Sequence, residues 1–351
     1  MRHSDLIFSN EFPAPARLGQ ELLLIYDKIL LKKSPAFRQW SRSFPLQYAV
    51  SAGEDLKAVE NFPRHIGALV QLCEKVSTRH LTLVVVGGGS VGDFGGFVAS
   101  ILKRGVGLVH IPSTWLAALD SSHGGKTALN VGSVKNQIGT FYPADKIVMV
   151  RSLLLAQPEA RAFEGFGELL KIAWIQGGSL WRDLAQEKNV SSPMLWKYLE
   201  AGVAAKYKVV KKDPEEKTGW RHILNLGHTV GHLLEVLHQL PHGISVNYGL
   251  DFSLRWSWER GLMSSSQYEK IMRAPVSQYL LSAGRDHLLS RQKKDLNEFS
   301  RLLLSDKKKT KAQTLRFIFL QSPGRCVIQE VTVEEVIKEM VRQQEAALHE
   351  L

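Results

Sequence analysis

The residues of this sequence with the most chemical potential are its clustered histidines. GHTVGH places His228 and His232 four residues apart on an expected helix, hence on one face, and His242 follows in a PHG turn. A lone helical histidine is usually structural, but three so close together suggest a metal. Catalytic zinc often takes two histidines and a carboxylate, leaving one position open for substrate. Glu168, in EGFGELLK one turn before Lys171, is a candidate carboxylate. On spacing alone, His228 and His232 are the natural pair and His242 the spare.

A second group is rich in glycine. Gly87, Gly89 and Gly92 form GxGxxG after an expected strand, where backbone amides at a helix N-terminus could receive a pyrophosphate. The acid that usually ends the next strand of a dinucleotide fold is missing, because Val109, His110 and Ile111 run into Pro112. Asp93, just past the last glycine, is badly placed for phosphate but suits a ribose or nicotinamide group. Further on, LDSSHGGKTALN and VKNQIG gather Asp120, Lys126, Asn130, Lys135 and Asn136 among glycines, a set fitted to a phosphorylated, hydroxylated ligand. Lys206, Asp213, Glu216, Arg221 and Asn225 form a third set. In it, Arg221 and Asn225 stand at helical spacing just before His228, and Arg221 could hold a carboxylate bidentately.

These residues need elements to position them. The first half alternates strand-like and helix-like segments, the pattern of a layered α/β domain with a parallel sheet. Strands are expected at Leu22–Tyr26, Leu81–Val86, Gly107–Ile111 and Lys146–Val150, with helices at Glu54–Val76 and Val91–Leu102. Pro112–Tyr142 reads as a polar loop long enough to be functional. After Pro158 the pattern is mostly helical, over Phe166–Gln176, Leu195–Lys212, His222–Leu240 and Gly243–Arg260. A hairpin at Leu315–Leu320 and Cys326–Glu330 and a helix from Val333 close the chain. The expected domains are 1–155 and 156–351, with the site between them.

Composition narrows the classes. The chain has 351 residues, 44% hydrophobic and 23% charged, as in soluble globular proteins. No apolar run approaches the ~20 residues of a membrane span, so no membrane partner is expected. The N-terminus shows no export signal, which makes the cytoplasm the expected address. Cys73 and Cys326 belong to no CxxC pair and suggest neither a disulfide framework nor a thiolate site. The net charge of +11 suits nucleic acid, a membrane surface or an anionic small substrate, and charge alone does not choose among them. The basic block around Lys307 and Lys308 lacks the interleaved aromatics of a single-strand-binding surface, so no nucleic-acid partner is expected.

With these residues in hand, the chain resembles the 3-dehydroquinate synthase family of sugar-phosphate cyclases. GGGSVGDFGGF, LKRGVGLVHIPSTWLAALDSSHGGKTALN, KNQIGTFY, GELLK, RHILNLGHTVGH and HG follow in family order. The resemblance implies an α/β N-terminal NAD-binding domain, a mostly α-helical C-terminal metal-binding domain, and a homodimer. It puts a divalent metal, zinc or alternatively cobalt, on Glu168, His228 and His242, and leaves His232 for proton transfer. It makes Glu216 the proton acceptor. Arg104, Lys126 and Asn136 would meet phosphate, Arg104 from the other subunit, while Asp120, Lys206, Arg221, Asn225 and Lys307 or Lys308 would meet the rest of the substrate. For NAD it implies Asp27, Glu54, Lys57, Gly88, Gly89, Ser90, Asp93, Ser113, Thr114 and Lys135. The implied reaction converts 3-deoxy-D-arabino-heptulosonate 7-phosphate to 3-dehydroquinate and phosphate in aromatic amino-acid biosynthesis. Another cyclase substrate, or polyol oxidation on a related fold, is the alternative. The sequence departs from the family pattern at Ile29, at Ile244, and by one extra residue between Asp213 and Arg221.

Overall fold

The central strands of the first half are apolar without interruption, as befits strands buried on both faces of a parallel sheet. In the computed structural model, which describes residues 4–76, 80–132, 134–289, 298–303 and 314–349, they form a six-stranded parallel sheet. The elements are β1 (Asp5–Ser9), β2 (Glu21–Asp27), α1 (Leu30–Lys33), α2 (Pro35–Ser41), β3 (Leu46–Val50), α3 (Phe62–Leu72) and β4 (Leu81–Gly87). They continue with α4 (Gly89–Ile101), β5 (Gly107–Pro112), β6 (Lys126–Val131), β7 (Val134–Phe141), β8 (Lys146–Val150) and α5 (Arg151–Leu155). The sheet order is β1-β8-β5-β4-β2-β3. From β2 the chain first goes outward to β3 and then back across to β4, so the winding reverses between β2 and β4. The carboxyl ends of strands beside such a reversal are where open α/β sheets bind ligands.

Strand periodicity sets the core. Leu22, Leu24 and Tyr26 face the same side as Val84, Val86, Val109, Ile111, Val148 and Val150, and pack with Phe37 and Phe44. On the other side, α4 lies so close that a Cβ on Gly95 would sit 2.6 Å from Val85.

Two expectations change here. Glu54–Val76 is not one helix, because a 3-10 turn at Glu54–Lys57 ends in extended backbone at Ala58 before α3 begins at Phe62. Its apolar spacing continues across a break that sequence periodicity does not see. Pro112–Tyr142 is not an open loop either, since it holds a π-helical turn at Ala117–Ser121 and the antiparallel hairpin β6–β7. The hairpin's outer strand is exposed, so it lacks the alternating apolar pattern that would have announced it.

The contacts divide the chain into Met1–Arg161 and Ala162–Leu351, against an expected cut at 155. The second unit carries α6 (Glu159–Gln176, begun in the first), α7 (Gly178–Leu184), α8 (Ser192–Val210), α9 (His228–His238), α10 (His242–Glu259) and α11 (Ser265–Met272). The hairpin β9 (Thr314–Ser322) and β10 (Arg325–Thr332) follows, then α12 (Val333–His349). Its core is aromatic, with Phe252, Trp256, Phe317 and Phe319 packed against Val336 and Met340. No helix among the described residues is long and apolar enough to cross a membrane.

Within this unit, α10 approaches its neighbours backbone to backbone. A Cβ on Gly243 would lie 1.8 Å from the carbonyl oxygen of Glu164, and one on Gly249 would lie 1.8 Å from that of Gly227. Only glycine permits these approaches, which set α6 and α9 directly against α10. Gly243→Ala must push α6 away, and overpacking of this kind costs about 1–3 kcal/mol. A fall in melting temperature of on the order of 5 °C is expected, measured by circular dichroism, and an unchanged midpoint would refute the contact.

Candidate active site

The close approaches of α10 bring three helices' side chains to one point. Glu168 on α6 and His228 on α9 reach His242 at the start of α10, where Oε1 of Glu168 lies 3.5 Å from Nε2 of both imidazoles. His232 completes the cluster, and the nitrogen ligand atoms of the three histidines lie within 4.8 Å of one another.

Each of the three converging groups is held from behind. Oε2 of Glu168 pairs with the buried Lys171 at 2.5 Å, which turns Oε1 toward the imidazoles. Nδ1 of His228 is 3.2 Å from the carbonyl oxygen of Leu226, and Nδ1 of His242 is 2.8 Å from Oε2 of Glu235. Both acceptors take a proton from Nδ1, and that tautomer leaves the Nε2 lone pairs facing Glu168. Two imidazole nitrogens and a carboxylate oxygen with fixed orientation match the donor set of a divalent transition metal. The same atoms favour positive charge between them. Burial works against protonation of His242, yet the neighbouring carboxylates of Glu168 and Glu235 outweigh this and push it up to about 10. His228 goes the other way, held well below the ordinary histidine value by burial and then by Lys171.

Spacing alone pairs His228 with His232, whereas the structure puts His228 and His242 with Glu168. Glu235 went unnoticed in the sequence. Its signal was there, since His228, His232 and Glu235 recur at i, i+4 and i+7 along one face of α9.

Arg221 and Asn225 do not share the helix of His228. They lie on a 3-10 helix, Trp220–Asn225, which Gly227 separates from α9 with a left-handed φ of 79°. At about three residues per turn, positions four apart leave a common face. Arg221 is buried, while Asn225 is exposed. The Arg221 guanidinium donates from Nη1 to Pro214 O at 3.0 Å, and its Nε lies 3.4 Å from Oε1 of Glu216. Asp213 anchors this turn by accepting from the backbone N–H groups of Thr218 and Arg221. Those bonds overcome the upward effect of burial and hold its carboxyl at about 2. Lys206 is buried on α8. Lys307 and Lys308 lie outside the described residues.

In the first unit, most residues implied for NAD stand at the carboxyl ends of strands. Asp27 ends β2, and its Oδ1 accepts from the N–H of Ile29 at 3.2 Å. Gly88 caps α4 and Gly89 opens it, with Thr114 and Ser121 close by. Ser90 Oγ accepts from the N–H of Gly53, and the N–H of Ser113 bonds to Gly87 O. Gly87 serves packing, since a Cβ there would strike Val91 at 2.4 Å. The fingerprint's glycines thus divide between packing and an open helix N-terminus.

A polar network ties the hairpin to this region. Lys57 Nζ donates to Asp93 Oδ2 and to Asn136 Oδ1, both at 2.6 Å. Asn130, on β6, donates to Glu54 Oε2 at 2.7 Å and accepts from the Asn136 N–H at 2.9 Å. Burial raises the Asp93 pKa, the nearby Glu54 and Asp120 add to this, and Lys57 opposes them. Asp120 rides on the π-helical turn, a local form common at functional sites. Lys126 and Lys135 are exposed on β6 and β7, and Arg104 is exposed in a left-handed backbone at φ 66°.

Residues 47–164 match the 3-dehydroquinate synthase N-terminal family, and residues 165–309 match the 3-dehydroquinate synthase C-terminal family. The 3-dehydroquinate synthase of Pyrobaculum islandicum is 33% identical over 296 residues, 82% of this chain and 82% of that one. The chain belongs to the 3-dehydroquinate synthase family. With two other relatives the match covers a smaller share of the relative. The bifunctional shikimate kinase/3-dehydroquinate synthase of Thermotoga maritima is 32% identical over 82% of this chain and 56% of its own length. The 3-dehydroquinate synthase of Lactiplantibacillus plantarum is 38% identical over 62% of this chain and 60% of its own. The chain thus spans under two thirds of the length of these two relatives.

Among solved structures, a 2-deoxy-scyllo-inosose synthase complexed with carbaglucose-6-phosphate, NAD+ and Co2+ superposes with a TM-score of 0.77 at 22% identity, covering 97% of this chain and 96% of that one. The 2-epi-5-epi-valiolone synthase of Streptomyces hygroscopicus with NAD+ and Zn2+ gives 0.76 at 21%, covering 98% and 97%. A probable glycerol dehydrogenase of Sinorhizobium meliloti gives 0.58 at 18%, covering 98% and 97%. These likenesses carry the family's fold.

A metal probe checks the convergence. His242→Ala and Glu168→Gln are each expected to weaken Co2+ binding at least about 100-fold in competition with a chelator, since each removes a first ligand whose supporting partners alone are worth 10–100-fold. Wild-type affinity in both variants would dissolve the proposed ligand set.

Proposed function

We propose that the protein is a 3-dehydroquinate synthase, converting 3-deoxy-D-arabino-heptulosonate 7-phosphate to 3-dehydroquinate and inorganic phosphate. The observation that carries this reading is the convergence of Glu168, His228 and His242 in the same unit as a buried arginine, Arg221. The metal set serves a polyhydroxylated substrate, and the arginine serves its carboxylate. Identity supports the same choice, at 32–38% to relatives named for this activity and 21–22% to cyclases named for products of other sugar phosphates.

The reaction has no net redox change, so a tightly held cofactor suffices and no external oxidant is needed. NAD, held by residues at the carboxyl ends of β2, β4 and β5, supplies a reversible hydride acceptor. Glu168, His228 and His242 would hold the zinc or cobalt, which would supply Lewis acidity to the substrate. The remaining work belongs to side chains. Arg221 and Lys206 meet the carboxylate, Asp120 accepts from a hydroxyl, and Asn225 and one of Lys307 or Lys308 meet the rest of the substrate. Lys126, Asn136 and Arg104 receive the phosphate, Arg104 across a homodimer. Glu216 takes a proton, and His232 relays one beside the metal ligands.

Arg221 decides the substrate class. A sugar phosphate without a carboxylate leaves a buried guanidinium facing no substrate anion, which costs binding energy. The purified protein with NAD and Zn2+ is expected to release phosphate from the heptulosonate phosphate and not from sedoheptulose 7-phosphate or glucose 6-phosphate. Arg221→Met is expected to lower kcat/KM for the heptulosonate by about 30- to 1000-fold, the equivalent of about 2–4 kcal/mol. Phosphate release confined to substrates lacking the carboxylate would reject the assignment. Net NADH accumulation with glycerol would instead favour polyol oxidation.

A further inference from the structure

His228 and His242 reach Glu168 at the same distance, but they are held in different ways. His228 leans on a backbone carbonyl, a neutral acceptor 3.2 Å away, and its side chain is 12% exposed. His242 is 27% exposed at the first position of α10, just after Pro241, and its Nδ1 meets a carboxylate at 2.8 Å. A bond to a charged acceptor is shorter and roughly twice as strong as one to a neutral acceptor. That carboxylate belongs to Glu235, which stands on the same face of α9 as His228 and His232 and is itself only 21% exposed.

We propose that Glu235 is a positioning residue that fixes the ring and tautomer of His242 and makes it the stronger nitrogen donor of the metal centre. The proposal rests on the ligand set given above. Removing the pairing with Glu235 leaves the ligand itself intact while freeing the more exposed of the two rings to turn. Lys171 acts on Glu168 with the opposite sign, drawing negative charge away from that ligand, so the support of His242 compensates for a weakened carboxylate. Glu235 also spans the turn between α9 and α10, where Gln239 is left-handed at φ 52°, so a purely structural role must be separated from a role toward the metal.

Cobalt makes the separation, because its visible ligand-field spectrum reports geometry and donor strength. The experiment compares wild type, Glu235→Gln and Glu235→Ala by chelator competition for Co2+, by the visible spectrum of the Co2+ form, and by melting of the metal-free protein. Glu235→Ala is expected to bind Co2+ about 10- to 100-fold more weakly with an altered spectrum. Glu235→Gln keeps a hydrogen-bond acceptor without the charge, and is expected to restore part of the affinity. Unchanged affinity and spectrum in both variants, with only the metal-free melting temperature lowered, would assign Glu235 to the turn and overturn the proposal. Co2+ binding by wild type that is lost in His242→Ala yet indifferent to Glu235 would sink this inference alone. Equal Co2+ binding by wild type and His242→Ala would sink the ligand set and this inference with it.

Discussion

The approach of helix backbones at Gly243 and Gly249 is the constraint on which the second unit's chemistry depends. Helix axes usually stand 8–10 Å apart, with side chains filling the gap. Here two positions of α10 meet carbonyl oxygens where no Cβ could fit. The consequence is geometric. Side chains as short as histidine and glutamate, projecting from three helices, can converge on a single small ion only if their backbones are drawn together. The glycines supply no ligand and no charge, and yet they decide whether the ligands meet.

Electrostatics then sets a buried lysine against carboxylates in each unit. In the first unit Lys57 pairs with Asp93, which also feels Glu54 and Asp120, and its other hydrogen bond ties the hairpin through Asn136. In the second, Lys171 neutralises one side of Glu168 while the imidazoles face the other. A buried charge without a partner would cost several kcal/mol. Each cluster therefore gives its buried lysine a carboxylate partner, Asp93 for Lys57 and Glu168 for Lys171.

The sequence revealed the parallel sheet because β2, β4 and β5 are short apolar runs separated by helices, a pattern with few other solutions. It revealed the chemical residues because histidine, glycine and lysine were clustered. Less visible were the breaks. Apolar periodicity continues from His222 to Leu240, but Gly227 takes a left-handed conformation and re-aims everything before it. Helical spacing thus placed Arg221 and Asn225 on a face they do not share. The hairpin β6–β7 was hidden because its outer strand has no buried side to impose alternation. Which imidazoles meet Glu168 was also beyond spacing, since that depends on where α10 crosses α6. Only the resemblance, and not periodicity, selected His242.

The pairing of Arg221 with Glu216 bears on how an anionic substrate would be received. The guanidinium is buried, and its Nε already faces a carboxylate at 3.4 Å, a loose contact by the standard of bonded ion pairs. Its Nη1 is taken by Pro214 O, and Asp213 holds the turn from below. A substrate carboxylate would therefore exchange one acceptor for another, and the gain would be the difference between a loose pairing and a bidentate one. Such a site binds modestly but discriminates strongly, because a ligand without the carboxylate offers nothing in return for disturbing Glu216. Recognition would thus draw on an ion pair that the chain already holds, with Glu216 in a left-handed backbone at φ 55°.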